Sequence, residues 1–150
     1  MDTHPSHPIF AGEFRHAIDA KNRVTIPARW RGGEVDEFFA VPNLESGCLM
    51  VMPVAVTDEV AARAKSDPRF TPQDVQRFIR QFYSRAQHLT TDKQGRIVLP
   101  EEQCRQLDLK QEVILVGSHS RFEVWSPQSW EKIKEEDSPT FRHMMGVIGI

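Results

Sequence analysis

Cysteine is scarce in this 150-residue chain: Cys48 and Cys104 are its only two, far apart and without a CxxC pair. They offer neither a disulfide framework nor a paired-cysteine metal site, and they suit a reducing, cytoplasmic setting. Long apolar runs are also missing. The longest stretches are strand-sized, well short of the ~18 residues that a membrane-spanning helix needs. The N-terminal MDTHPSHPIF lacks the basic region and long apolar core of a secretory signal. Neither sign of charge is in excess: 19 Lys and Arg stand against 21 Asp and Glu, a net of −2, so any polyanion-binding surface must be local. GxSxG, a Gly-rich phosphate loop, HExxH and Cys/His ligand spacing are all absent. An enzyme, a bound metal and a cofactor are therefore not expected, nor is a small-molecule substrate. The composition that remains, 39% hydrophobic and 27% charged, is globular and sized for one domain or two very small ones. A chain of this length buries roughly two-thirds of its surface on folding, enough for a core without disulfides.

What is present is a repeat. Asp19-Ala-Lys-Asn-Arg23-Val-Thr-Ile-Pro27 is answered by Asp92-Lys-Gln-Gly-Arg96-Ile-Val-Leu-Pro100, with Asp, Arg and Pro in register 73 positions apart. Internal similarity of this kind outranks local signals in setting architecture. In each copy the Asp and an Asn or Gly supply turn chemistry, between strands expected at 13–18 and 23–26, and again at 86–91 and 96–99. Pro27 and Pro100 end a strand and suit the first turn of a short helix, at 28–31 and 101–107. A second hairpin follows in each copy, at 37–41 with 49–52 and at 112–116 with 121–125. Closing helices are expected at 57–65 and 128–135. Between the copies, Thr71 caps a helix that places Val75, Phe78, Ile79 and Phe82 on one face. An isolated hairpin is marginal in water, so two β-β-α-β-β units should cover one another. The expected fold class is a β-rich α+β protein, a pseudo-symmetric β-barrel with helices outside. Its divisions fall at an N-terminal arm (1–9), a first repeat (10–56), connecting helices (57–84), a second repeat with its closing helix (85–135) and an apolar C-terminal tail (136–150).

Local charge is uneven. Arg15, Lys21, Arg23, Arg29 and Arg31 outnumber Glu13 and Asp19 by three around the first turn. Around the second, Arg85, Lys93, Arg96 and Arg105 exceed Asp92, Glu101 and Glu102 by one. Arginine binds guanine edges and phosphates in bidentate fashion, so the first turn is a candidate nucleic-acid contact. An Asp four residues from an Arg also braces a turn, and the two roles coexist if Asp19 orients Arg23. Other candidates have plainer explanations. Ser118-His119-Ser120 reads as the turn of the second hairpin, and His16 and His88 as solvated strand residues ahead of each motif. His4 and His7 sit in the N-terminal arm. Trp125 and Trp130 suit packing, whereas Trp30, between Arg29 and Arg31, suits either packing or base stacking. The two cysteines suit buried positions.

The twin Asp-x-x-x-Arg motifs, their 73-residue spacing, the connector VQRFIRQF and the block EVILVGSHSRFEVWSPQSWEK together resemble the MraZ family, over residues 10–135. The resemblance implies tandem AbrB-like swapped-hairpin units forming a double-ψ-type barrel. It also implies a DNA-binding transcriptional regulator assembled as a ring-shaped homo-oligomer and associated with the nucleoid. Its target would be double-stranded DNA carrying short repeats in the promoter of the division and cell wall gene cluster, which usually includes the regulator's own gene. The family's DNA-contacting arginine maps to Arg23 and, by pseudo-symmetry, to Arg96. Lys21, Lys93, Arg15 and Arg29 join them on charge and spacing alone, and Asp19 and Asp92 brace the motifs. Two features depart from the family pattern: Asn22 stands where Gly is frequent, and extra residues precede Phe10. An oligomeric scaffold that binds a protein partner without sequence-specific DNA recognition is the alternative.

Overall fold

A computed structural model describes residues 8–150; the first seven residues of the N-terminal arm, with His4 and His7, lie outside the described residues. The elements run β1 (Glu13–Ala17), β2 (Arg23–Thr25), a single 3-10 turn (Ala28–Trp30), β3 (Glu37–Asn43), β4 (Cys48–Pro53), α1 (Val54–Ser66) and α2 (Pro72–Ser84). They continue β5 (Gln87–Thr90), β6 (Arg96–Val98), α3 (Glu101–Leu107), β7 (Glu112–Ser118), β8 (Arg121–Trp125) and α4 (Pro127–Ile148). The protein is α+β, as the repeat predicts.

The pairing crosses between the repeats. Six antiparallel strands form one sheet in the order β1-β7-β8-β4-β3-β5, and β2 pairs with β6 in a separate two-stranded ladder. The first strand of the first copy, β1, pairs with the second copy's β7, Ala17 opposite Glu112. Reciprocally, β5 pairs with β3, Thr90 opposite Glu37. Each copy thus completes the other's hairpin.

The expected closed barrel is corrected by this pairing. The large sheet ends at β1 and β5, and β2 and β6 pair only with each other. These two strands are three residues long because a tight turn precedes each and a proline, which has no N–H to give to a ladder, follows close behind.

The core lies between the ladder and the large sheet. Val24, Ile26, Ile97 and Leu99 enter it from the ladder side, and Leu49, Val51, Leu115, Phe122 and Val124 from the sheet. Trp30 settles into packing and not base stacking. It is 1% exposed, its ring stacks on Phe122 at 5.1 Å, and Phe10 and Phe14 meet it edge-on at 5.6 and 5.2 Å. Its indole N–H donates to the Ala11 carbonyl (3.0 Å). Cys48 and Cys104 are buried free thiols, and burial pushes the Cys48 thiol up to about 12. His119 turns the second hairpin with a φ of 68° and bridges to Phe10.

The helices differ most from expectation at the C-terminus. The Ser126 hydroxyl caps α4 by accepting from the Ser129 N–H (3.2 Å), and Trp130 packs on Trp125 at 5.8 Å. The helix then continues past position 135 through Pro139, so the stretch read as a tail is helical to Ile148. Pro139 removes one N–H from the i→i−4 series without ending it. No helix among the described residues is long and apolar enough to cross a membrane.

Candidate nucleic-acid interface

The two Asp-x-x-x-Arg segments fold into the same turn. One oxygen of the Asp19 carboxylate accepts from the backbone N–H of Lys21 (2.9 Å) and of Arg23 (2.8 Å), and the other from Arg23 Nε (2.7 Å). Asp92 repeats this with Gln94 N–H (3.0 Å), Arg96 N–H (2.9 Å) and Arg96 Nε (2.8 Å). Asn22 and Gly95 close the turns at φ 60° and 76°, left-handed positions that only Gly and a few small polar residues take readily. The Arg23 backbone N–H, more than any other group, holds the Asp19 carboxyl below the usual carboxylate range, and the Arg96 N–H does the same for Asp92. Both carboxylates therefore stay charged and both guanidinium planes are anchored through Nε. Arg23 keeps both Nη groups free of hydrogen bonds among the described residues; Arg96 donates one to Gln94 Oε1 (3.2 Å).

The β2–β6 ladder joins the turns into one surface. Arg23 stands opposite Val98, Val24 opposite Ile97, and Thr25 opposite Arg96. Successive side chains in a strand point to opposite faces. Val24 and Ile97 accordingly enter the core, while Arg23, Thr25, Arg96 and Val98 share the outer face. On that face the two arginines are diagonal neighbours, with Cβ atoms on the order of 7–8 Å apart. Each turn is also tied to the other copy's strand end, through Leu99 N–H to the Asn22 carbonyl (2.8 Å) and Ile26 N–H to the Gly95 carbonyl (2.9 Å). The result is a two-stranded ribbon, an element of a size that enters the major groove of DNA.

The other residues singled out from the sequence scatter around this ribbon. Lys21 and Lys93 are exposed within the two turns, and Arg29 is exposed on the 3-10 turn after Pro27. Arg15 lies on β1, in the large sheet, ion-paired to Glu112 at 2.7 Å. His88 sits on β5 against the Phe39 ring, 4.0 Å from the Glu37 carboxylate, and neither it nor His16 hydrogen-bonds Arg23 or Arg96. Thr25 and Val98 are the residues that motif spacing missed. Val98 is 53% exposed, an apolar side chain opposite Arg23 and two residues from Arg96 on the same strand. The alternation Arg-Val-Thr-Ile and Arg-Ile-Val-Leu carried the signal, since residues two apart must share a face.

The chain is similar in sequence to known proteins. Residues 82–144 match the family described as "MraZ protein, putative antitoxin-like". A transcriptional regulator MraZ of Desulforamulus reducens is 38% identical over 136 residues, covering 91% of this chain and 94% of the relative. One of Carboxydothermus hydrogenoformans is 40% identical over 122 residues, 81% and 84% of the two chains. One of Acetivibrio thermocellus is 32% identical over 145 residues, 95% and 100% of the two.

Proposed function

The chain belongs to the MraZ family of transcriptional regulators, and on that premise we propose that it binds DNA sequence-specifically through the outer face of the β2–β6 ribbon. The observation that carries this reading is the pair of Asp-braced arginines, Arg23 and Arg96, set diagonally on one exposed two-stranded surface. A guanidinium already held in plane loses less freedom on meeting a guanine edge or phosphate than a free one does. Lys21, Lys93 and Arg29 flank the ribbon as phosphate contacts. Arg15, already neutralised by Glu112, has the weakest claim among them.

In the full reading, the two copies are AbrB-like swapped-hairpin units, and the exchange of β1 and β5 between them supports that assignment. The chain assembles as a ring-shaped homo-oligomer whose neighbouring subunits bind repeated boxes in the promoter of the division and cell wall gene cluster, its own gene included, at the nucleoid. Exposed apolar surface supports assembly. Phe141, Met144 and Ile148 line one side of α4, and a cleft of about 610 Å³ between α1 and α2 is lined by Val60, Phe70, Val75 and Phe78. The same surfaces favour the second reading, an oligomeric scaffold without sequence preference.

A titration of DNA from upstream of the protein's own gene, with scrambled competitor, separates the two. Arg23→Ala should weaken binding by about 1–3 kcal/mol per lost contact, multiplied across the boxes that one ring engages. Wild-type binding no tighter than to scrambled DNA would leave the scaffold.

A further inference from the structure

We propose that Arg31, reaching across from the first copy, completes a phosphate-binding site on the second turn. The inference rests on the DNA-binding reading above and assigns a residue that the repeat does not predict. Three observations carry it. First, the Arg31 guanidinium lies directly over Gly95: a methyl group added at Gly95 would stand 2.6 Å from Arg31 Cζ and 2.7 Å from its Cδ. Gly95 therefore supplies both the φ of 76° that the turn takes and the space that the Arg31 side chain fills. Second, Arg31 Nε is shielded from solvent and has no hydrogen-bond partner, and Arg31 forms no ion pair with any described carboxylate. A half-buried cation without a counter-charge carries a desolvation cost that an anionic ligand would offset. Third, the first turn is built differently. The residue 73 positions after Arg31 is Cys104, whose short side chain leaves an open cleft of about 630 Å³ bounded by Lys21, Asn22, Leu99, Glu101 and Arg105.

Asn22, the counterpart of Gly95, borders that open cleft instead of an overlying side chain of the Arg31 position. Arg31 thus moves one positive charge from the more basic copy to the less basic one. The second turn thereby gathers three cations, Arg31, Lys93 and Arg96, against the single carboxylate of Asp92, a net positive site for an oxyanion. The chemical class of the ligand is a phosphodiester of the DNA backbone, a contact that fixes register and carries no base information.

The test is the salt dependence of promoter binding by the full-length protein. Arg31→Met, which keeps the stem and removes the charge, should lower the slope of log K against log salt by about 0.9 for each subunit on the duplex. Arg31→Lys should retain the wild-type slope. Gly95→Asn, which places the first turn's residue under Arg31, should displace the guanidinium and lower the slope as Arg31→Met does, a second route if that variant folds poorly. A folded Arg31→Met or Gly95→Asn chain with the wild-type slope would overturn the proposal and leave the ribbon reading standing. Equal losses in Arg31→Met and Arg31→Lys would reduce Arg31 to a packing residue. A wild-type protein that binds no DNA would overturn both readings together.

Discussion

The first turn and the second agree in all three Asp-carboxylate bonds to within 0.1 Å, yet the segments after Pro27 and Pro100 use unrelated side chains for the same task. In the first copy, position 30 is a tryptophan stacked into an aromatic cluster with Phe10, Phe14 and Phe122. Its counterpart 73 residues on is Gln103, which is also buried but donates through Nε2 to the carbonyls of Ala40 (3.0 Å) and Arg85 (3.1 Å). One copy is anchored by dispersion and apolar burial, the other by satisfying a carbonyl of β3 and the carbonyl that ends α2. The backbone of the repeat has been kept where the turn chemistry demands it. The side chains have diverged where the two copies meet different halves of the shared core.

The comparison breaks most visibly at those anchors. Trp30→Ala should cost about 3–5 kcal/mol in chemical denaturation, the range for emptying a large aromatic from a core. Gln103→Ala should cost about 1–3 kcal/mol, the penalty for leaving its carbonyl partners unpaired. Equal losses would mean that the anchors are interchangeable after all. The turns come next. Gly95→Ala should lose about 1–2 kcal/mol from left-handed strain alone, with a further loss because Arg31 must move. Asn22→Gly should change stability by less than about 1 kcal/mol.

Acidification gives a finer test, because here the copies should behave alike. Asp19 and Asp92 are both held below the ordinary carboxylate value of about 3.9 in the folded chain. A carboxylate whose folded value is depressed adds stability that is present above its unfolded value and disappears as the pH falls through the folded one. Wild-type melting temperature should therefore drop on acidification below about pH 4, and Asp19→Asn with Asp92→Asn should flatten that part of the profile. Either single substitution should remove about half of the difference. Asp67 and Asp74, also held low by Arg69 and by the Thr71 N–H, titrate in all these variants and cancel from the comparison.

Much of this was legible in the amino-acid order because it is local. Asp, a left-handed residue and a strand-ending proline specify each turn within nine positions, and α3 begins and ends where the residues after Pro100 indicate. The Arg–Asp bracing follows from the same spacing. Pairing across the copies was not legible. The alternation in β1 says which face is buried but not that its partner is β7, about a hundred residues away. The length of α4 was hidden by Pro139, which ordinarily signals a helix end. The position of Arg31 depends on the missing side chain of Gly95 in the other copy, a contact that sequence spacing does not show.

The central claim is that the two motifs form one DNA-reading face, and Thr25 lies on that face between Arg23 and Arg96. A photocrosslinking side chain introduced at Thr25, compared with one at the exposed Lys65 on α1, tests it in a single experiment on promoter DNA. A crosslink that excess scrambled DNA does not remove is expected from position 25, and none from position 65. Capture from position 65 with none from position 25 would contradict it.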